Sequence, residues 1–166
     1  MSRHCLSAIV AILILAGCAS APAPAPAASA NATASADEQA VRAVVDRLFD
    51  GMRTRDTAMM ASVFHDEARF YGVGRDGTVQ VTLPASFIAG IGRAPAGMVL
   101  DEVLQDVEVR IDGPLASAWM YYDFFAGDDF SHCGYDAMQL LKVSGEWKIV
   151  ALADSRRTEG CRRQRG

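Results

Sequence analysis

The chain has 166 residues, is 51% hydrophobic and carries a formal net charge of −4. That length holds one domain around a single core, and an acidic chain lacks the basic surface that nucleic-acid binding requires. Its four cysteines form no CxxC pair and its three histidines no HExxH run, so neither a metal nor another cofactor is expected.

Met1 to Gly17 has the layout of a secretory leader: Arg3 near the start, then an apolar stretch from Leu6 to Ala16. About 11 apolar residues fall well short of the roughly 20 that span a bilayer. The stretch ends in Leu15-Ala16-Gly17-Cys18, a small-residue pair directly before a cysteine, which resembles a bacterial lipoprotein cleavage site. The resemblance implies a leader over residues 1–17, lipidation of Cys18 and a membrane anchor made of acyl chains. Ala19 is not aspartate, so it further implies the outer membrane, with the domain facing the periplasm. An ordinary signal peptide cut around Ala19 to Ala21 is the alternative. Residues 18–36 are almost all Ala, Pro and Ser, and they read as an extended tether.

Ser35-Ala36-Asp37-Glu38 has the spacing of a capping box. Val41, Val44, Val45, Leu48, Phe49 and Met52 then recur at helical spacing, predicting a helix from Asp37 to Met52. Asp56 caps a shorter helix with Met59, Met60, Val63 and Phe64 inward. Arg69 to Val73 reads as a strand, Gly74-Arg75-Asp76-Gly77 as a turn and Thr78 to Leu83 as a second strand. Pro84 suits the first position of a short helix running to Ile91. Four strands follow: Leu100 to Ile111, Leu115 to Phe125, His132 to Val143 and Glu146 to Asp154. Ser144-Gly145 joins the last two as a two-residue hairpin turn. The last residues, Ser155 to Gly166, hold five arginines against Glu159. We read 158–166 as a solvated basic tail, with lipid headgroups or an acidic partner as alternatives. Cys5 leaves with the leader and Cys18 takes the lipid, so Cys133 and Cys161 remain, in an oxidising compartment, to form a disulfide.

Helices followed by long strands make an α+β chain. Tyr135-Asp136-Ala137-Met138-Gln139-Leu140-Leu141-Lys142, then Gly145-Glu146-Trp147-Lys148-Ile149-Val150, resembles the closing hairpin of the nuclear transport factor 2-like superfamily. Phe64-His65-Asp66-Glu67-Ala68 resembles the end of its second helix. The resemblance covers residues 37–157. It implies a cone, in which a curved antiparallel sheet wraps about three helices and leaves a cavity at the open end, often with a homodimer formed through the sheet. The superfamily includes ketosteroid isomerases, polyketide cyclases and many proteins of unknown role.

Pairing Val143 with Glu146 across the turn sorts side chains by face. One face holds His132, Asp136, Met138, Leu140, Trp147, Ile149, Ala151, Ala153 and Arg157, and its apolar middle turns it toward the helices. Ala151 and Ala153 are small and would leave a hollow beside Asp136 and His132, with Arg157 at the rim. Alternation in the aromatic strand puts Trp119, Tyr121, Asp123 and Phe125 on one face and Met120, Tyr122 and Phe124 on the other. Both faces are too apolar for water, so a second subunit is expected over the outer one. The ligand-binding candidates are Tyr71, Trp119, Tyr121, Asp136 and Arg157. The candidates for acid–base chemistry are Asp136, Asp123 and His132, because an inward carboxylate must be paired, hydrogen-bonded or protonated. His65-Asp66-Glu67 has no partner cluster to make a metal site. These residues point to an envelope protein that binds a small, partly apolar ligand or a partner protein without catalysis. The alternatives are a cofactor-free isomerase, cyclase or dehydratase with an Asp base, and a structural dimeric module.

Overall fold

The structure, a computed structural model, describes residues 27–73 and 77–165. The leader, Cys18 and most of the Gly74-Arg75-Asp76-Gly77 turn lie outside the described residues. The elements run α1 (Ala27–Thr54), α2 (Thr57–Ser62), β1 (Phe64–Val73), β2 (Val79–Thr82), α3 (Pro84–Gly92), β3 (Leu100–Asp112), β4 (Leu115–Ala126), β5 (Asp129–Val143) and β6 (Glu146–Asp154). No helix among the described residues is long and apolar enough to cross a membrane.

The first helix begins at Ala27, ten residues before the expected start, so Ser35 lies inside it rather than at its cap. Alternate alanines carry the helix back through the end of the expected tether, alanine being the strongest helix former. Glu38 therefore bonds Arg42 one turn on, at 2.9 Å, instead of reaching back to a cap. Asp56 does cap α2, its Oδ1 accepting from the Met59 N–H at 2.8 Å. Phe64 to Ala68 opens β1 and does not end a helix.

The sheet order is β2-β1-β6-β5-β4-β3. Every neighbouring pair is antiparallel except β1 with β6, which is parallel. Its concave face and the helices enclose the core. Val41, Val45, Leu48, Phe49 and Met52 of α1 are buried with Met120, Met138, Leu140, Trp147 and Ile149 of the sheet. Asp37 of α1 fastens the hairpin end, accepting from Lys142 Nζ at 2.6 Å and Trp147 Nε1 at 3.1 Å. Ser144 and Gly145 have φ of 52° and 87°, so the last hairpin turns on the expected pair of residues.

That hairpin holds the main departure from simple alternation. Val143 pairs with Glu146 and Leu140 with Ile149, but Gln139 pairs with Ala151: Val150 is an extra residue on β6. A one-residue slip moves every later side chain to the other face. Leu152 and Asp154 therefore join Met138 and Asp136 on the concave face, where Ala151 and Ala153 were expected.

Part of the outer face is covered by the chain's own last residues. After β6 the chain crosses to the convex side, and Arg157 exchanges two backbone bonds of 2.9 Å with Cys133. The Cys133–Cys161 disulfide then pins it, with Cα atoms 5.7 Å apart. Residues 157–165, exposed apart from Cys161, are bonded to the convex side as a strap across β3 and β4. Arg162 and Gln164 donate backbone N–H bonds of 2.9 Å to Tyr121 Oη and Asp123 Oδ2. The guanidinium groups of Arg162, Arg163 and Arg165 lie over the rings of Tyr121, Phe130 and Phe125 at 4.3, 4.8 and 4.5 Å. Arg162 also pairs with Asp106 at 2.6 Å, which a β3 irregularity with φ of 53° at that residue turns toward the strap. The chain thus covers with its own end much of the surface expected to need a second subunit. Trp119, beyond the strap, stays 50% exposed.

Candidate functional site

A cavity of about 680 Å³ opens between the concave sheet face, α1 and α3. Phe49, Phe70, Phe87 and Leu152 give it apolar walls, and Gln80, Thr82 and Ser86 add polar groups from β2 and α3. Its ionisable lining comes from five strands and the segment after β6: Tyr71, Glu102, Tyr122, His132, Asp136, Asp154 and Arg156.

Asp136 is 3% exposed and shares a side-chain hydrogen bond with the partly buried Glu102. Desolvation pushes both carboxyls up, Asp136 to about 7. The two carboxyls are hydrogen-bonded and titrate as one coupled pair, with Glu102 raised well above its ordinary range. Desolvation raises the Tyr122 hydroxyl too, followed by the charges of Glu102 and Asp136; that hydroxyl donates to Ser155 O at 2.8 Å. Desolvation and then the Arg156 charge hold His132 below its ordinary value, so its ring is neutral at pH 7. Arg156 Nε is engaged by Asp154 Oδ2 at 2.5 Å. Among the described residues, every buried side-chain polar atom has a hydrogen-bond partner.

Asp136, His132 and Tyr71 come together around this cavity, with Tyr71 at the mouth, 40% exposed. Arg157 does not, because the β6 irregularity puts Arg156 there instead. Arg157 lies on the convex side, over the Tyr121 and Tyr135 rings at 5.7 and 5.8 Å. Trp119 and Tyr121 share that side, Trp119 stacked on Tyr135 at 5.2 Å. Asp123 is there too, 0% exposed beneath the strap. It accepts from Tyr121 Oη at 2.8 Å, Gln105 Nε2 at 3.1 Å and Gln164 N at 2.9 Å, which leaves it a structural acceptor away from the cavity. Its oxygens lie within 4.8 Å of the Cys133 and Cys161 sulfurs, which are bonded to each other. His65-Asp66-Glu67 sits at the start of β1, where His65 Nδ1 accepts the Glu67 N–H at 3.1 Å.

Sequence reasoning missed Glu102, Tyr122, Asp154 and Arg156. Met120, Tyr122 and Phe124 were placed together correctly, and Glu102 pairs across from Phe124 on that same face. Alternation extended from the β3–β4 turn would have missed Glu102, because the irregularity between Gln105 and Glu108 shifts the register by one residue.

The sequence profile of the family described as "Putative lumazine-binding" matches residues 36–153. Among curated proteins none matches this sequence. Several solved structures share the fold. One is an NTF2-like protein with a cystatin-like fold from Novosphingobium aromaticivorans, with TM-score 0.67 and 15% identity over 81% of this chain and 90% of that one. Another is an NTF-2 like protein of unknown function from Silicibacter pomeroyi, with TM-score 0.61 and 22% identity over 75% and 98%. A third, from Streptomyces avermitilis, is described as a "putative dehydratase from the NTF2-like family", with TM-score 0.59 and 14% identity over 74% and 97%. Identities this low speak for the fold alone. With the profile spanning most of the sequence, the chain belongs to the lumazine-binding family so described and carries the nuclear transport factor 2-like cone.

Proposed function

We propose that the domain binds a small, flat, partly apolar molecule in the cone cavity, oriented by the Glu102–Asp136 pair. The observation that carries this reading is a carboxyl pair, Asp136 buried and Glu102 partly so, set in the wall of a cavity that combines Phe and Leu surface with a few polar groups. Ligand sites are concave and mostly apolar, with a few placed polar groups. The family description, which names lumazine, supports a flat heterocycle of that size. Lumazine itself is the probe for the test. Titrated to millimolar concentration, it shifts backbone amides at Phe70, Leu152 and Asp154, and those shifts vanish in Thr82→Trp, which fills the mouth from the exposed strand β2. Shifts spread over the convex face, or unchanged in Thr82→Trp, overturn the reading.

The same pair favours a second reading, a cofactor-free isomerase, cyclase or dehydratase. Asp136, raised to about 7, is matched to proton transfer near neutral pH, and Glu102 supplies an adjacent acid. The description of the Streptomyces avermitilis neighbour adds to it.

We also infer that the domain is carried as an outer-membrane lipoprotein facing the periplasm, on the strength of Leu15-Ala16-Gly17-Cys18. Mass spectrometry of protein taken from membranes is expected to give a mature chain that starts at an acylated Cys18. An unmodified Cys18, or another start, removes the anchor.

A further inference from the structure

We propose that the ligand presents a donor-bearing nitrogen edge, of the amidinium or protonated aminoheterocycle type, to the Glu102–Asp136 pair, so that the cavity prefers an amino-substituted flat heterocycle to its oxo counterpart. This rests on the ligand-binding reading above and names the class of ligand.

The charged groups that face the cavity decide which ligand edge it accepts. Arg156 is its one lining cation among the described residues, and it is engaged by Asp154. His132 is neutral, with Nδ1 held by Ser131 Oγ at 3.0 Å. The Tyr122 hydroxyl is directed at Ser155 O. The remaining polar side chains, Gln80, Thr82 and Ser86, carry no charge. What is left is the Glu102–Asp136 pair, whose side-chain hydrogen bond runs between its own two members, while Arg156, whose charge acts on both, is bonded to Asp154. Any negative charge that so desolvated a pair carries is costly. A ligand that brings donors and positive charge offsets that cost through charge-assisted hydrogen bonds. The oxo edge of lumazine brings a single N–H flanked by two carbonyl oxygens, so it offers fewer donors and turns lone pairs toward carboxylate oxygens. The aromatic walls fit the same class, since Phe49, Phe70 and Phe87 offer ring surface to a flat cation.

Two pteridines of one ring size separate the possibilities: 2,4-diaminopteridine, with two amino groups, and lumazine, with two oxo groups at the same positions. Calorimetry on the purified protein at pH 7 is expected to give at least about tenfold tighter binding of the diamino compound, the step that one charge-assisted hydrogen bond makes in a dry site. Asp136→Asn removes that preference: the diamino compound weakens at least about tenfold, while lumazine, relieved of carboxylate oxygens facing its carbonyls, binds no more weakly than before. Glu102→Gln, at a less buried position, gives the same outcome should Asp136→Asn fail to fold. Lumazine binding as tightly as the diamino compound, or a preference that survives both substitutions, overturns the ligand class and leaves the cavity reading standing. Saturable binding of neither compound takes down that reading as well.

Discussion

Cys161→Ser is expected to lower the melting temperature of the oxidised protein by roughly 10–15 °C, corresponding to about 3 kcal/mol for a domain of this size. Two effects combine. The bond spans 28 residues, and closing a loop of that length removes much of the freedom of the unfolded chain. It also fixes the strap whose N–H groups satisfy Tyr121 and Asp123. With the strap loose, a carboxylate that is 0% exposed loses one of its three donors, and a buried acceptor left short is costly. Cys161 is the position to change because Cys133 is fully buried, where a free thiol packs as a small hydrophobe and a serine would not. Reductant should reproduce the loss in the wild type and leave Cys161→Ser unmoved. A shift of only a degree or two would mean that the backbone and arginine contacts hold the strap unaided. The same variant reports on the cavity, because the segment bearing Ser155 and Arg156 is tied to Cys133 through Arg157.

How much of this was legible in the sequence depends on whether a feature is local. The apolar periodicity of α1, the Asp56 cap, Pro84 at the start of α3 and the Ser144-Gly145 turn follow from chemistry within a few residues, and each is found where expected. The disulfide followed from the count of cysteines once Cys5 was assigned to an expected leader and Cys18 to an expected lipid site. The cavity lining was legible up to Val150. Alternation counted outward from a turn has no means of registering one extra residue, so Leu152, Asp154 and Arg156 exchanged places with Ala151, Ala153 and Arg157. Asp123 and Asp136 looked alike, each a carboxylate among apolar neighbours on a strand. What separates them is tertiary: one lies under a strap that closes from the far end of the chain, the other lines the hollow. Glu102 sits in Leu100-Asp101-Glu102-Val103-Leu104, where acidic and apolar residues fall on both faces and period two selects neither. The start of α1 was misplaced because a good local capping pattern competed with alanine's preference for continuing a helix, and the preference won.

Gly134 was invisible for a related reason, and it carries the other large expected effect. Gly134→Ala should cost about 3 kcal/mol and abolish the pteridine binding proposed above, because overpacking against backbone leaves nothing flexible to yield. A Cβ at residue 134 would stand 1.7 Å from Ser155 O and 2.9 Å from Tyr122 Cε1. The segment at Ser155 would have to move away. It would break the bond from Tyr122 Oη to Ser155 O at 2.8 Å, and those linking Ser155 N to Tyr135 O and Tyr135 N to Ser155 Oγ, both 3.0 Å. Those bonds hold the cavity edge where Asp154 and Arg156 sit, so stability and ligand affinity fall together. Gly72→Ala is the matched control. It lies in β1 on the same cavity, and its Cβ would meet only Asp154 Oδ1, at 3.6 Å. Its melting temperature should stay close to the wild type, a change within about 0.5 kcal/mol. Equal losses in the two variants would mean that strand glycines here are sensitive in general; a loss confined to Gly134 assigns the effect to the crossing of the chain from cavity edge to strap.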